Sequence, residues 1–210
     1  MPARSPKNLE QLRRLSKRAV APRHAKLPPF PKRRYDVVYL DPPWYYYGSA
    51  VKDAAAAKHY PLMTQRELAE LDVASLLAKR AAVFLWATGP RLDFAIDLLR
   101  AWKLHYRGIA YVWVKINARG EIIAGQGVAP TFTKPTTELL LVATTNPTGR
   151  PFPIRTMRQA QVVLHRRGAH SEKPGVFREL IVELCGDRPR IELFARARTP
   201  GWDAWGGGLA

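Results

Sequence analysis

Four consecutive residues, Asp41-Pro42-Pro43-Trp44, place a carboxylate, two imino acids and an indole directly after the apolar run YDVVYL. Proline keeps its carbonyl while giving up its N–H, and it holds the preceding residue extended. Asp-Pro-Pro is therefore a rigid rim that only accepts hydrogen bonds. An exocyclic amine has two N–H donors to offer such a rim. With one taken by the Asp41 carboxylate and the other by the Pro42 carbonyl, the amine is drawn from planar towards tetrahedral. Its lone pair is then released to attack an electrophilic methyl group in line. Trp44 supplies a face on which a flat base would stack, a contact worth about 1–3 kcal/mol. Catalysis of this kind rests on positioning and electrostatics and needs no strong general base. An isolated Asp-Pro-Pro reads first as a turn closing a strand. The three tyrosines that follow Trp44 favour the chemical reading, because four consecutive large aromatics cannot all face a core.

From Tyr35 onward, short apolar runs alternate with helical periodicity. YDVVYL, AAVFLWAT, IAYVWVK, ELLLVAT and RIELFAR read as strands. MTQRELAEL begins a helix with Thr64 and Glu67 in capping-box spacing. GPRLDFAIDLLRAW puts Leu92, Ala95, Ile96, Leu99 and Trp102 on one helical face. A third helix starts at Pro174, buries Val176, Phe177, Leu180, Ile181 and Leu184, and stops at Gly186. Residues 117–137 read as a loop, RPFPIRTMRQAQVVLHRRGAH as a long basic connection and TPGWDAWGGGLA as an irregular tail. The alternation implies an α/β fold with a mostly parallel sheet and helices on both faces. Ligands of such folds sit beyond the carboxyl ends of the strands, which is where Asp41 falls.

The 210 residues suit one domain with extensions, and a net charge of +17 concentrates polyanions around the protein. Up to Tyr35 there are eleven basic residues and one acidic residue, Glu10. This gives a basic arm and Pro-rich linker over residues 1–34 and a domain over 35–210. Nucleic acid is the first partner to expect and a membrane surface the second, with binding of the former falling steeply as salt rises. No apolar run approaches the roughly 20 residues that cross a bilayer and no secretory segment is visible, so a cytoplasmic location is expected. Cys185 is the single cysteine, and the five histidines form no ligand pair at helical spacing, so no disulfide and no metal site are expected.

The residues carry a family resemblance. DPPW at the end of YDVVYL resembles the signature of the S-adenosylmethionine-dependent N6-adenine methyltransferases typified by the seventy-kilodalton catalytic subunit of the eukaryotic mRNA adenosine methyltransferase, a family with bacterial and phage members. KHYPLMTQREL, VFLWAT, YVWVKIN, TTELLLVAT, AHSEKPGVF and IELFARARTPGWDAWGGGL resemble its further motifs in the same order, from about Tyr35 to Leu209. The family has a Rossmann-like sheet with permuted motif order, the donor-binding part lying towards the C-terminus. That order accounts for the absence of a Gly-x-Gly-x-x-Gly after the first strand.

The resemblance implies residue roles. Asp41, Pro42, Pro43 and Trp44 form the catalytic rim, with Asp41 also near the donor S-adenosylmethionine. Lys173, Phe194, Arg196, Arg198, Thr199 and Gly207 would bind that donor. Lys173 stands where a helix dipole disfavours a cation, which itself suggests a use. Gly207 stands where family members carry an asparagine, so only its backbone could serve. Tyr60, Lys115 and Glu138 would face the target base, and charges inside apolar strands are costly unless they point into a polar site. Arg166 and Arg167, in the basic connection, would hold the polynucleotide. Trp86 and Trp113 are read as core, and His170 and Ser171 as helix-capping. The implied activity is methyl transfer to N6 of adenine, with DNA ahead of RNA as substrate and an extruded or single-stranded base in the pocket. A catalytically weak nucleic-acid-binding partner subunit is the alternative, and a homo- or heterodimer stays open.

Overall fold

Tyr35–Leu40 forms β1, buried throughout except for the half-buried Asp36, as expected of a strand covered on both faces. The computed structural model describes residues 27–44, 62–124, 133–148, 152–169, 172–207 and 209. Within them β1 is followed by β2 (Leu77–Ala87), β3 (His105–Ile116), β4 (Thr137–Thr144), β5 (Val162–Arg166), β6 (Arg190–Leu193) and β7 (Asp203–Trp205). Helices α1 (Gln65–Ala69), α2 (Leu92–Ala101) and α3 (Val176–Cys185) connect them, with short 3-10 turns at Val73–Leu76 and Gly89–Arg91. The strands form one seven-stranded sheet in the order β5-β3-β4-β2-β1-β6-β7. β1 runs parallel to β2 and β6, β3 to β5, and β6 to β7. β4 alone is reversed, antiparallel to both β2 and β3. The fold is thus the mostly parallel α/β sheet expected, and the single reversal brings the start of β4 to the end of the sheet where the other strands finish.

Each face has its own core. On one, Val38, Leu40, Val83, Leu85 and Leu141 pack against Ala95, Leu98 and Leu99 of α2 and Leu68 of α1. On the other, Tyr39, Phe84, Trp86, Tyr111 and Trp113 pack against Phe177, Ile181 and Cys185 of α3. The Thr64–Glu67 capping box is present in both directions, and Gly186 ends α3 with φ at 82°, a backbone that favours glycine.

Several expectations are corrected. The basic connection contains β5, whose side chains alternate between exposed and half-buried. As an edge strand it is defined by its partner β3 and not by its own polarity. The tail contains β7, only three residues long, held because Trp205 is buried and Tyr35 Oη donates to Asp203 Oδ2 at 2.7 Å. The end of the linker is docked, since Leu27 and Phe30 pack on the core and Trp205 Nε1 donates to the Pro28 carbonyl at 2.9 Å. RIELFAR ends as a strand at Leu193, because Phe194 turns into the left-handed region with φ at 59°. The helix-capping roles of His170 and Ser171 fall outside the described residues.

Gly206 follows β7 so closely that a Cβ there would stand 2.6 Å from the Ala195 carbonyl oxygen. Backbone, not a movable side chain, is in the way. Gly206→Ala is expected to lower the stability by about 1–3 kcal/mol, the usual cost of overpacking. A urea denaturation midpoint unchanged from wild type would show that this approach is not required.

Candidate active site

Asp41 leaves the carboxyl end of β1 and Glu138 begins β4 at the same end of the sheet. One strand, β2, lies between them, so their backbones are roughly 10 Å apart and the carboxylates cannot meet directly. Lys173, three residues before α3, fills the gap. Its Nζ donates to Asp41 Oδ2 at 2.6 Å and stands 3.3 Å from Glu138 Oε2. On the next strand, β3, Lys115 Nζ donates to Glu138 Oε1 at 2.6 Å. The result is a row of alternating charges, Asp41, Lys173, Glu138 and Lys115, across four strands. Its floor is aromatic: the Lys173 ammonium lies 5.6 Å from the Trp86 ring centre and that of Lys115 5.1 Å from Trp113. Cation–π attraction at such distances adds about 0.5–2 kcal/mol. The two indoles meet edge to face, each rests on Phe177 and each has its N–H satisfied, Trp86 by Tyr39 Oη and Trp113 by the His165 carbonyl. They are core, as expected, and they also support the site.

The row is mostly withdrawn from water, with side chains exposed by 8 % at Lys173, 13 % at Glu138, 14 % at Lys115 and 27 % at Asp41. Burial on its own would lower Lys173, but the two carboxylates outweigh it and hold the ammonium above the usual lysine range. For Glu138, burial raises the carboxyl and the two lysines more than cancel the rise, leaving it below the usual range. For Asp41 burial is the largest influence and lifts the carboxyl, with Lys173 and Arg196 opposing and Glu138 assisting. One row therefore holds a firmly ionised glutamate beside an aspartate of raised basicity.

The other residues of interest scatter around this row. Pro42 is buried, and its carbonyl already accepts from the Trp44 N–H at 2.8 Å, leaving one lone pair for a ligand. The Pro43 carbonyl accepts from the Met63 N–H at 2.8 Å, which ties the rim to the lead into α1. Trp44 is only 6 % exposed and packs in the core. The open stacking face expected of Trp44 is therefore corrected: the indole is used to anchor the rim. Arg196 and Arg198 are exposed beyond β6, while Thr199 is half-buried and its carbonyl accepts from the Trp202 N–H at 3.0 Å. Phe194 packs edge to face on Trp205, and Gly207 is exposed just beyond. Arg166 and Arg167 lie exposed at the carboxyl end of β5, one strand beyond Lys115, with Arg166 Nη2 donating to the Ala118 carbonyl. They share the end of the sheet but not the row. Tyr60 lies outside the described residues.

Two features were not anticipated from the sequence. Thr88 Oγ1, just past the end of β2, is buried without a hydrogen-bond partner among the described residues, a group to which a ligand atom could bond. Arg178 of α3 grips Glu192 of β6 through two bonds of 2.7 Å and lies 5.4 Å from the Tyr39 ring centre. The charge of Glu192 within RIEL was the available signal for that pair, by the same reasoning that singled out Glu138.

The MT-A70 family pattern matches residues 35–208, nearly all of the chain beyond the arm. The type II methyltransferase M.MunI of a Mycoplasma species is 32 % identical over 205 residues, covering 89 % of this chain and 83 % of that protein. The N6-methyladenosine RNA methyltransferase MTA1 of Pyricularia oryzae is 31 % identical over 82 % of this chain but 46 % of its own length. The N(6)-adenosine-methyltransferase non-catalytic subunit METTL14 of Xenopus tropicalis is 27 % identical over 81 % of this chain and 38 % of its own.

Lys173→Met would leave two buried carboxylates facing each other without their shared cation, at a cost on the order of 3–5 kcal/mol near neutral pH. Glu138, held low, contributes stability above its ordinary value of 4.5 that is lost as the pH falls through its folded value. Without Lys173, Glu138 keeps Lys115, while Asp41 loses its bonded cation and carries a penalty that is relieved as acid neutralises it. The stability deficit of the variant should thus be larger at about pH 7.5 than at about pH 5. Equal deficits in urea titrations at the two pH values would contradict this electrostatic account.

Proposed function

The chain belongs to the MT-A70 family and is an adenine-N6 methyltransferase, and we propose that it draws its methyl group from S-adenosylmethionine and its adenine from a polynucleotide, DNA before RNA. The observation that carries the reading is the Asp41 carboxylate at the carboxyl end of β1, backed by a buried ammonium, inside a family match that spans the whole sheet. The likeness that runs through most of both chains is to the type II methyltransferase, while the RNA-directed relative is matched over less than half of its length; this supports DNA.

The residues present suit the donor. The Thr88 hydroxyl lacks a partner among the described residues, and Arg196 brings positive charge near Asp41. We assign Phe194, Arg196, Arg198, Thr199 and the Gly207 backbone to holding the donor, with Arg196 matched to its carboxylate in charge. Lys173, already bonded to Asp41, serves the donor side mainly by fixing that carboxylate. When bound, S-adenosylmethionine supplies an electrophilic methyl group on a sulfonium and departs as the thioether. Asp41, whose Oδ2 is engaged by Lys173, offers Oδ1 to one N–H of the adenine amine, and the remaining lone pair of the Pro42 carbonyl takes the other. As the N–C bond forms and the S–C bond breaks, positive charge passes to N6 beside Asp41. The surplus N6 proton then leaves by way of that carboxylate, whose raised basicity suits the task. Electrostatic stabilisation aimed at a developing charge in a dry site is the main source of rate.

The target base must leave its stack to reach a site between Asp41 and Glu138. We assign Arg166 and Arg167 to the strand's phosphates, Lys115, Glu138 and Tyr60 to the surroundings of the base, and the arm over residues 1–34 to general attraction of polyanion. Among the described residues no helix is long and apolar enough to cross a membrane, and we place the enzyme in the cytoplasm. A non-catalytic partner role is the second reading, favoured by the likeness to a protein named a non-catalytic subunit. The intact Asp41 and its buried counter-ion weigh against it.

The test is incubation with isotope-labelled methyl donor and, separately, unmethylated duplex DNA, single-stranded DNA and RNA, followed by mass analysis of the nucleosides. N6-methyldeoxyadenosine is the expected product, and N6-methyladenosine in the RNA pool would reassign the polymer. Asp41→Ala should reduce transfer at least about 100-fold while leaving nucleic-acid affinity intact. Wild-type transfer by that variant would remove Asp41 from the mechanism.

A further inference from the structure

Lys173 has one ammonium and two carboxylate neighbours, and it is shared unequally: 2.6 Å to Asp41 Oδ2 and 3.3 Å to Glu138 Oε2. The inequality has a cause on the far side of Glu138. Lys115 bonds Glu138 Oε1 at 2.6 Å, so Glu138 needs little from Lys173, and the ammonium leans to Asp41. How tightly Lys173 clasps Asp41 is therefore set from β3, three strands away. We propose that Glu138 and Lys115 are a positioning pair that acts through Lys173 to tune the Asp41 carboxylate, rather than side chains whose main work is to touch the base. The proposal rests on the methyltransferase reading of the same site.

The physical argument is one of competition in a dry environment. An aspartate bonded by a lysine that belongs to it alone is a weak base and a weak source of negative potential. One whose lysine is half claimed by a second carboxylate keeps more of both. The amine of the substrate gains positive charge as the methyl group arrives, so a fully neutralised Asp41 would stabilise it poorly. An Asp41 with no lysine at all would take a proton from solvent and lose the negative charge that the developing cation needs. Glu138 guards against the first outcome and Lys115, by restraining Glu138, against the second. Among the described residues, the other ionisable groups around Asp41 and Lys173 are Arg196 beyond β6, Tyr39 on β1 and, behind Tyr39, the Arg178–Glu192 pair of α3 and β6. Arg178 and Glu192 satisfy each other at 2.7 Å, which leaves Lys173 as the group bonded to Asp41 whose hold the pair can alter.

Opposite substitutions should move Asp41 in opposite directions, which a purely structural role would not produce. In Glu138→Gln the lysine belongs to Asp41 alone, so the Asp41 titration midpoint should fall, by about one pH unit for the loss of one nearby charge. In Lys115→Met the glutamate draws Lys173 away, so the midpoint should rise by a similar amount. The midpoint is read without any turnover, from the side-chain carboxyl carbon signals of protein labelled at aspartate, with the Asp41 signal identified by its loss in Asp41→Asn. Glu138→Asp, which keeps the charge, should return the midpoint towards wild type. In pH–rate profiles the acid limb should shift with the midpoint. Glu138→Gln should lower kcat while leaving KM for DNA near wild type.

If wild type methylates adenine but both variants titrate Asp41 as wild type does, the tuning role is wrong and the function stands. If the midpoints move oppositely in a protein that transfers no methyl group to any polymer, the coupling stands and the function reading fails. A kcat unchanged in Glu138→Gln with KM for DNA raised would assign Glu138 to the base and overturn the proposal. Thermal unfolding of each variant identifies any that does not fold, in which case Lys115→Gln replaces Lys115→Met.

Discussion

Two carboxylates rooted on strands that do not touch share a single ammonium, and the geometry of the whole sheet is arranged around that sharing. Asp41 ends β1, Glu138 begins β4, and β2 holds them apart. At the roughly 5 Å spacing of neighbouring strands, an intervening strand leaves a gap that a lysine side chain can bridge and a direct contact cannot. Lys173 reaches the gap from the segment before α3, across the face of Trp86. A buried row of this kind costs desolvation at every member, and it persists only because each charge has an opposite neighbour within hydrogen-bond reach. Such a row is poor as a stability device and well suited to hold charges in fixed places.

The reversal of β4 belongs to the same constraint. In an all-parallel sheet the first residues of every strand lie at the end opposite the ligand site. Running β4 backwards brings its first residues, Thr137 and Glu138, to the functional end, and register places Glu138 directly across from Trp113 with Lys115 two residues further along. Because strand side chains alternate faces, Trp113, Lys115 and Glu138 then share the face that α3 covers. A slip of one residue in β4 would turn Glu138 to the α2 face, where it would meet apolar side chains without a cation. The polar row thus specifies the register as firmly as the apolar core does.

Much of this was legible in the sequence because the physics was local. The five apolar runs became strands, the Thr64–Glu67 box capped its helix, and the misfit of a charge inside ELLL and of a lysine before a helix start both pointed to the site. What failed was what depends on partners distant in the chain. β5 and β7 exist because β3 and β6 offer them edges; β5 is five residues set inside a basic connection and β7 is only three residues long. Trp44 looked available because it sits among aromatics, yet the bond from Trp44 N–H to the Pro42 carbonyl and the bridge to Met63 fold it inward. The Lys173 role as a shared cation could not be read either. Spacing along a chain does not reveal that residues 41, 138 and 173 converge.

The two ends of the sheet also show why size is a poor guide to chemistry. At the amino end of β2 and β3 a cavity of about 590 Å³ opens between Phe84, Tyr111, Phe152, Met157 and Cys185, and it is mainly apolar. Its thiol, at Cys185, is pushed up to about 12 by burial, so it is neither a nucleophile nor a ligand at ordinary pH. A rule that assigns function to a large apolar hollow would choose this end. At the carboxyl end the strands bring a raised aspartate, a shared ammonium and a hydroxyl without a partner among the described residues to within a few strand widths of one another. Bond-making needs charges that can be held in place and developed without solvent rearrangement, and only the crowded end supplies them. The apolar hollow is accounted for by packing alone: α3 and the 152–159 segment close over the sheet without filling the space above the early residues of β2 and β3 and the last residues of β4.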